Sequence, residues 1–154
     1  MKQLLIFFIL FFAKEAYTKE NLSISWKQRL VLEAQKAQEK AYAPYSNFYV
    51  GSAVLAKNGK IFHGVNVENA SYGLTNCAER AAIFSAISSG ETEFEAIAII
   101  AKGGFPPCGA CRQVLNEFNP DMLVIIADET GTIVQEYALS ELLLQPFGPK
   151  NLNN

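Results

Sequence analysis

The sequence predicts an α/β fold in which one twisted, mixed sheet is covered by helices on both faces. Short apolar runs of strand length alternate with segments of helical period, as expected where helices cross over between strands. Two of these runs are separated by Asn58-Gly59, the signature of a tight hairpin, so some strands are antiparallel neighbours. The length of 154 residues is that of a single domain.

The first part of the chain predicts a helix followed by a hairpin. Ser25 and Gln28 have the spacing of a helix-capping pair, and Pro44 is expected to end the helix. Residues 48–56 and 60–65 predict the two strands of the hairpin. The helical period is carried by Trp26, Leu30, Ala34, Ala37 and Ala41.

The second part predicts crossover helices and a further pair of strands. Gly90 is a helix terminator, and Pro120 stops the next helix. The predicted elements are a loop at 66–76, helices at 77–89 and 108–118, strands at 96–101, 122–127 and 132–137, and a short last helix capped by Ser140. The resulting order, α-ββ-α-β-α-β-β-α, contains five strands.

Composition and charge restrict the class of function. Half of the residues are hydrophobic and 18% are charged, so the chain can bury a core and is too apolar for a disordered protein. The formal net charge is −2, from 13 Lys and Arg against 15 Asp and Glu. We therefore expect no nucleic-acid partner, because such binding needs a basic face.

Residues 1–22 predict a hydrophobic extension and linker, separate from a domain at 23–154. The apolar run at 4–13 is too short for a membrane-spanning helix of about twenty residues, so no stable membrane span is expected. It has the size of a signal-peptide core, but Phe11 or Lys14 stands where a cleavage site needs a small residue. We expect a cytoplasmic protein, with export or membrane attachment through residues 1–13 as the alternative.

All three cysteines lie at predicted helix N-termini, where the helix dipole favours thiolate over thiol. Cys108 and Cys111 are three residues apart, so both sulfurs lie on one helix face and can chelate one ion. Cys77 opens the other helix, two residues before Glu79. Three thiolates leave a tetrahedral zinc ion one position for water, as in catalytic sites.

Simpler interpretations exist for each part of this pattern. Cys-x-x-Cys at a helix start is also typical of thioredoxin-like redox sites. Glu79 could cap its helix together with Asn76, and Cys77 could be a small core residue. The combination favours a metal, because a redox site needs neither Cys77 nor Glu79.

With its other motifs, the chain resembles the small cytidine deaminases. The motifs are AYAPYSNF at 41–48, NVENASYG at 66–73, CAER at 77–80 and PCGACRQ at 107–113. The resemblance runs from about Trp26 to Leu152 and implies a three-layer α/β/α sandwich with a mixed five-stranded sheet. It also implies that residues 23–154 are a catalytic domain that deaminates cytidine and deoxycytidine to uridine and deoxyuridine in pyrimidine salvage.

The resemblance further implies the roles of the residues around the metal. One zinc ion per chain would be bound, with water at its fourth position. Glu79 would move protons between this water, the cytosine ring nitrogen and the leaving ammonia. Arg80 and Arg112, each next to a ligand, would compensate the excess thiolate charge. The ligands would be Cys77, Cys108 and Cys111.

Substrate binding is expected at two adjoining motifs. Asn66 and Glu68 are two residues apart at a strand end, so they point the same way and offer an amide and a carboxylate to a sugar hydroxyl. By the resemblance, Phe48 would pack on the face of the base, while the Ala78 N–H and the Pro106 carbonyl would contact the pyrimidine.

Tyr72 and Phe147 are expected to act across subunit boundaries, because the family builds each site from several subunits. A homotetramer is implied by the same resemblance. Phe147 resembles a C-terminal aromatic residue that serves a neighbouring site, although this chain has Leu144 where proline is usual and Pro146 two positions later. His63, the only histidine, is expected to be a surface or packing residue in the hairpin.

Two other functions remain open at the level of sequence. A related deaminase could act on a modified nucleoside, a nucleotide or an antibiotic nucleoside. Asn66 and Glu68 favour an unphosphorylated sugar, because a carboxylate repels phosphate. The alternative that is not an enzyme is a zinc-stabilised or redox binding module.

Overall fold

The computed structural model describes residues 24–148 and 151–152, so the predicted extension at 1–22 and its possible role in export lie outside the described residues. The elements are α1 (Trp26–Gln38), β1 (Gly51–Ala56), β2 (Ile61–Val65), a 3-10 helix (Tyr72–Leu74), α2 (Ala78–Ser88), β3 (Phe94–Ile100), α3 (Gly109–Phe118), β4 (Leu123–Ala127), β5 (Ile133–Ala138) and α4 (Leu139–Leu142).

The five strands form one sheet in the order β2-β1-β3-β4-β5. Strands β3 and β4 are parallel, because α3 crosses over between them, and the other three neighbouring pairs are antiparallel. The predicted α/β fold with a mixed five-stranded sheet is therefore confirmed.

Helices cover both faces of the sheet. Side chains of β3 alternate between the faces, with Ile97 and Ile99 on one side and Ala96 and Ala98 on the other. Helices α2, α3 and α4 pack on the first side and α1 packs on the second. The buried residues of α1 are Leu30, Val31, Ala34 and Ala37, whereas Trp26, expected in the same stripe, is 50% exposed.

Close contact between β2 and α2 sets the position of the second helix. A Cβ atom at Gly64 would lie 2.2 Å from the carbonyl oxygen of Ala78 and 2.2 Å from the backbone nitrogen of Ala82. Glycine is therefore required here by the approach of the helix backbone. This approach holds the first turn of α2, which carries Glu79, against the edge of the sheet.

Strand β1 begins at Gly51, so the prediction of a strand from residue 48 is wrong at its start. The backbone of Phe48 and Val50 bonds to Asn66, the residue directly after β2: the Val50 carbonyl accepts the Asn66 backbone N–H at 3.2 Å, and the other bonds come from the Asn66 side chain. The Val50 N–H donates to Asn66 Oδ1 at 2.9 Å, and Asn66 Nδ2 donates to the Phe48 carbonyl at 2.7 Å. The side-chain amide of Asn66 thus holds this segment beyond the point where regular strand pairing ends.

Helix α1 ends at Gln38, earlier than the expected stop at Pro44, and Ala41 lies outside it. The chain leaves the helix because the backbone of Tyr42 forms a bridge with Val67. Tertiary pairing therefore ends this helix before proline would.

The last helix starts at Leu139 rather than after a cap at Ser140, which lies inside it. Strand β5 continues to Ala138, and the Ala138 N–H donates to the Glu141 carboxylate at 2.7 Å. The prediction of Ser140 as the cap is wrong, because the end of the sheet sets the start of the helix. Within the described residues, every helix is too short or too polar to cross a membrane.

Candidate active site

The three cysteines meet where α2 and α3 begin. Cys77 and Cys108 are the N-cap residues of α2 and α3, and Cys111 lies in the first turn of α3. All three Sγ atoms lie within 4.8 Å of one another, and those of Cys108 and Cys111 are 3.5 Å apart. The fold thus brings together thiols that are far apart in sequence.

Hydrogen bonding within the cluster separates the pKa values of its thiols. The hydrogen bond from Cys111, helped by Arg80, lowers the pKa of Cys77 to about 5. The same bond and burial raise the pKa of Cys111. The thiolate form of Cys77 is therefore favoured beside Arg80, with Cys111 as its hydrogen-bond partner.

The donor set fits a zinc ion. Three convergent sulfurs are soft ligands that suit zinc, and they leave one tetrahedral position for another ligand. A cation would take the place of the proton shared between Cys77 and Cys111, because metal ligation requires thiolates. The residues that would hold the ion are Cys77, Cys108 and Cys111.

Glu79 is buried beside the cluster, with 4% of its surface exposed. Burial raises its pKa, and the neighbouring Cys77 charge adds to the effect. The alternative in which Asn76 caps α2 together with Glu79 is wrong, because Cys77 is the N-cap and Glu79 is the second residue of the helix. A carboxyl group in this setting is suited to holding and releasing a proton during a reaction.

The two arginines have different contacts. Arg80 Nη2 donates to Cys77 Sγ at 3.6 Å and to the Thr75 carbonyl at 3.4 Å. Arg112 instead donates to two carbonyl oxygens, that of Pro107 at 2.7 Å and that of Leu142 at 2.8 Å. Arg80 is thus placed directly on a sulfur, whereas Arg112 ties the backbone before Cys108 to the end of α4.

A cavity of about 310 Å³ adjoins Cys77 and Glu79, within the size range of small-molecule sites. It brings together most of the predicted substrate-binding residues, namely Phe48, Asn66, Glu68 and Ala78, and also Pro106. Ser46, Thr75 and Phe105, which the sequence motifs did not single out, also line it. The signal for Ser46 was its place in the AYAPYSNF motif, two residues before Phe48.

Tyr72 and Phe147 lie outside the lining of this cavity. Tyr72 is 75% exposed, and its ring packs edge-on against Tyr45 with 5.9 Å between the ring centres. Phe147 is 61% exposed, and its carbonyl accepts a bond from Gln113 Nε2 at 2.6 Å. Both side chains are therefore free to contact another molecule.

His63 is exposed, and its Nε2 lies 2.9 Å from the Glu33 carboxylate. The prediction that it is a surface or packing residue agrees with this position. It lines a different groove from the cysteine cluster, between α1 and β2.

Comparison with known proteins gives a consistent result. The family model described as the cytidine and deoxycytidylate deaminase zinc-binding region matches residues 24–127. A cytidine deaminase of Halalkalibacterium halodurans is 50% identical over 131 residues, which cover 83% of this chain and 98% of that protein. A cytidine deaminase of Sporosarcina psychrophila is 46% identical over 129 residues, covering 82% of this chain and 94% of that protein.

Structural comparison agrees with the sequence comparison. The 1.6 Å crystal structure of a cytidine deaminase from Burkholderia pseudomallei has a TM-score of 0.76 and 46% sequence identity. It aligns with 80% of this chain and with all of that chain.

Proposed function

The chain belongs to the family that shares the cytidine and deoxycytidylate deaminase zinc-binding region, and from this premise we propose that it deaminates free nucleosides. Cytidine and deoxycytidine are hydrolysed to uridine and deoxyuridine, and ammonia is released. The observation that carries the proposal is the meeting of three thiols and a buried glutamate beside one cavity. The metabolic role is pyrimidine salvage.

Zinc held by Cys77, Cys108 and Cys111 supplies, when bound, Lewis-acid activation of water at neutral pH. Glu79 handles the protons of the reaction. Its carboxylate accepts a proton from the attacking water and passes it to the ring nitrogen of cytosine. It then takes the second proton of the former water from the new hydroxyl group and delivers it to the departing amino group, so that water and cytidine become uridine and ammonia.

The lining of the cavity supports a nucleoside rather than a nucleotide. Phe48 offers an aromatic face to the base, and the Ala78 N–H and the Pro106 carbonyl offer backbone groups to its polar edge. Glu68 offers a carboxylate to the sugar, and the Asn66 amide, which bonds to the Phe48 carbonyl and the Val50 N–H, has one further N–H and one further acceptor position for it. The Glu68 charge repels a phosphate group, so nucleotides are the poorer substrates.

A direct assay tests this function. Zinc-loaded protein is expected to contain one zinc ion per chain and to convert cytidine to uridine with equimolar ammonia. Glu79→Gln is expected to keep its zinc and lose turnover, because the amide cannot carry the proton. A zinc-loaded wild-type protein that leaves cytidine and deoxycytidine unchanged would refute the proposal, and turnover of cytidine monophosphate alone would assign a nucleotide substrate.

A homotetramer with shared sites belongs to the same proposal. Large apolar side chains on the surface support it, because burying them between subunits removes apolar area from water. They include Tyr72, Leu144 and Phe147. Light scattering tests the assembly: the expected mass is four times the 17.0 kDa of the chain.

We further propose that residues 23–154 form the catalytic domain, that residues 1–22 are an extension and linker, and that the enzyme works in the cytoplasm. Three thiolate ligands support a reducing compartment, because an oxidising one favours disulfides and sulfur oxidation. N-terminal sequencing of the natural protein tests whether the extension is kept. Removal of residues 1–13 in the natural protein would instead indicate export.

A further inference from the structure

Ser46 joins the Glu68 carboxylate to the segment that carries Phe48. Its hydroxyl donates to Glu68 Oε1 and accepts the Phe48 N–H at 3.0 Å. Ser46 also lines the same cavity as both of these residues. One hydroxyl group thus contacts two residues of the proposed substrate site.

The orientation of the Glu68 carboxylate is set by three donors from one turn. Oε2 accepts the backbone N–H of Tyr45 at 2.8 Å and that of Ser46 at 3.2 Å. The Ser46 hydroxyl takes one position on Oε1. These bonds lower the pKa of Glu68, and the bond from the Ser46 hydroxyl has the largest effect. The group is therefore a carboxylate at neutral pH.

One oxygen of Glu68 keeps an acceptor position for a ligand. A carboxylate oxygen has about two acceptor positions. Both positions of Oε2 are taken by backbone donors, whereas Oε1 keeps one after its bond to Ser46. The Ser46 hydroxyl therefore fixes the direction of the one remaining acceptor position.

The turn does not depend on Ser46 alone. Asn66 binds the same segment through the Phe48 carbonyl and the Val50 N–H. The Glu68 N–H donates to the Tyr42 carbonyl at 2.8 Å. Loss of the Ser46 hydroxyl is therefore expected to leave the fold intact and to release Glu68 Oε1, while Oε2 keeps its two backbone donors.

We propose that Ser46 is a positioning residue for sugar recognition: it holds Glu68 Oε1 in the direction that accepts a bond from a ribose hydroxyl. The inference rests on the proposed function and deepens it. Discrimination between nucleosides with and without sugar hydroxyls depends on Ser46, although Ser46 itself need not touch the sugar.

The test compares kcat/KM for cytidine with kcat/KM for 2′,3′-dideoxycytidine. The second substrate has the same base and the same 5′-hydroxyl, and it lacks the 2′- and 3′-hydroxyls of the ribose. Ser46→Ala is expected to reduce the ratio of the two values about tenfold, as expected for a weakened hydrogen bond to a charged group. The change is expected mainly as an increase in KM for cytidine. Ser46→Thr keeps the hydroxyl and is expected to restore the ratio.

Three results would overturn the inference. The first is an unchanged ratio in Ser46→Ala, with both substrates affected equally, which would indicate a role limited to the Phe48 segment. The second is a further fall in the ratio when Ser46→Ala is added to Glu68→Ala. If Ser46 acts only through Glu68, its loss should have no effect on the ratio once the Glu68 carboxylate is absent. The third is a wild-type enzyme that does not discriminate between the two substrates.

Failure of the proposed function has a different signature, namely no turnover of either substrate by the zinc-loaded wild type. Zinc content and melting temperature show whether each variant is folded. Ser46→Gly provides a second variant without the hydroxyl if Ser46→Ala does not fold, and the same fall in the ratio is expected from it.

Discussion

Arg80 Nη2 lies 3.6 Å from Cys77 Sγ, which places a guanidinium on one sulfur of the cysteine cluster. The buried Nε of the same side chain has no hydrogen-bond partner among the described residues. Burying this N–H group without a partner lowers the free energy of unfolding. Such a cost is offset where the positive charge of the guanidinium stabilises nearby negative charge. The three thiolates that zinc ligation requires supply that need, because they carry more negative charge than the ion neutralises.

Replacing Arg80 is therefore expected to weaken zinc binding. Arg80→Ala should reduce zinc affinity by about 10–100-fold, the range for residues that support metal ligands through a second layer of contacts. Competition with a chromogenic chelator measures the affinity directly. Arg112→Ala is the comparison variant, because Arg112 bonds to carbonyl oxygens rather than to sulfur. Equal losses in the two variants would contradict a specific role of Arg80.

Phe147 can be tested as a group that acts in a neighbouring subunit. Phe147→Ala chains keep Glu79 and lack the aromatic side chain. Glu79→Gln chains keep Phe147 and lack the carboxyl group. Mixed assemblies of the two are expected to regain the wild-type KM at sites that combine an intact Glu79 with the neighbour's Phe147. Steady-state assays before and after subunit exchange measure this effect.

A chain carrying both substitutions is the control for that exchange, mixed with wild type in place of the two single variants. If Phe147 served the site of its own chain, mixing the single variants would restore nothing. The exposure of Phe147 and its anchoring through Gln113 leave the side chain available for such a contact.

Gly64→Ala is expected to destabilise the protein and disturb the metal site. The added Cβ atom would meet the backbone of Ala78 and Ala82 at 2.2 Å, so α2 must shift away from β2. Overpacking of this kind costs about 1–3 kcal/mol in the free energy of unfolding. Melting temperature and zinc content measure the two effects. Gly73→Ala is the matched control, since nothing lies within 4 Å of its Cβ position.

The Glu33 carboxylate is expected to make stability depend on pH. Hydrogen bonds from Lys36, and then from His63, lower its pKa in the folded state. A lowered carboxyl pKa contributes stability above the ordinary value, and this contribution is lost as pH falls through the lowered pKa. Glu33→Gln should therefore be less stable than wild type at pH 7, by under about 1 kcal/mol for a surface pair.

Denaturant unfolding of Glu33→Gln and wild type at several pH values measures that difference. It should shrink as the pH falls below about 4, where an ordinary glutamate gains its proton. A difference that stays constant from pH 7 to pH 3 would show that packing, rather than charge, is the cause.

Local sequence was sufficient to predict features that depend only on residues close together along the chain. The Cys108 and Cys111 sulfurs share a helix face because helical period places residues three apart together. The Asn58-Gly59 turn joins two paired strands, since its chemistry favours a tight hairpin. Local signals failed at Ser140, where the Leu139 N–H bonds to the Met122 carbonyl at 2.9 Å and the sheet sets the helix start.

The sequence by itself determined the α/β class, the element order and the three candidate metal-binding cysteines, because short-range periodicity and fixed motif spacing encode them. Only the tertiary structure decided that Cys77 meets Cys108 and that Glu68 is held by Ser46. These pairs are separated by 31 and 22 residues, and their contact depends on how β1, β3 and the two helices pack on one sheet. Side-chain hydrogen bonds over such separations follow from packing, which no local pattern records.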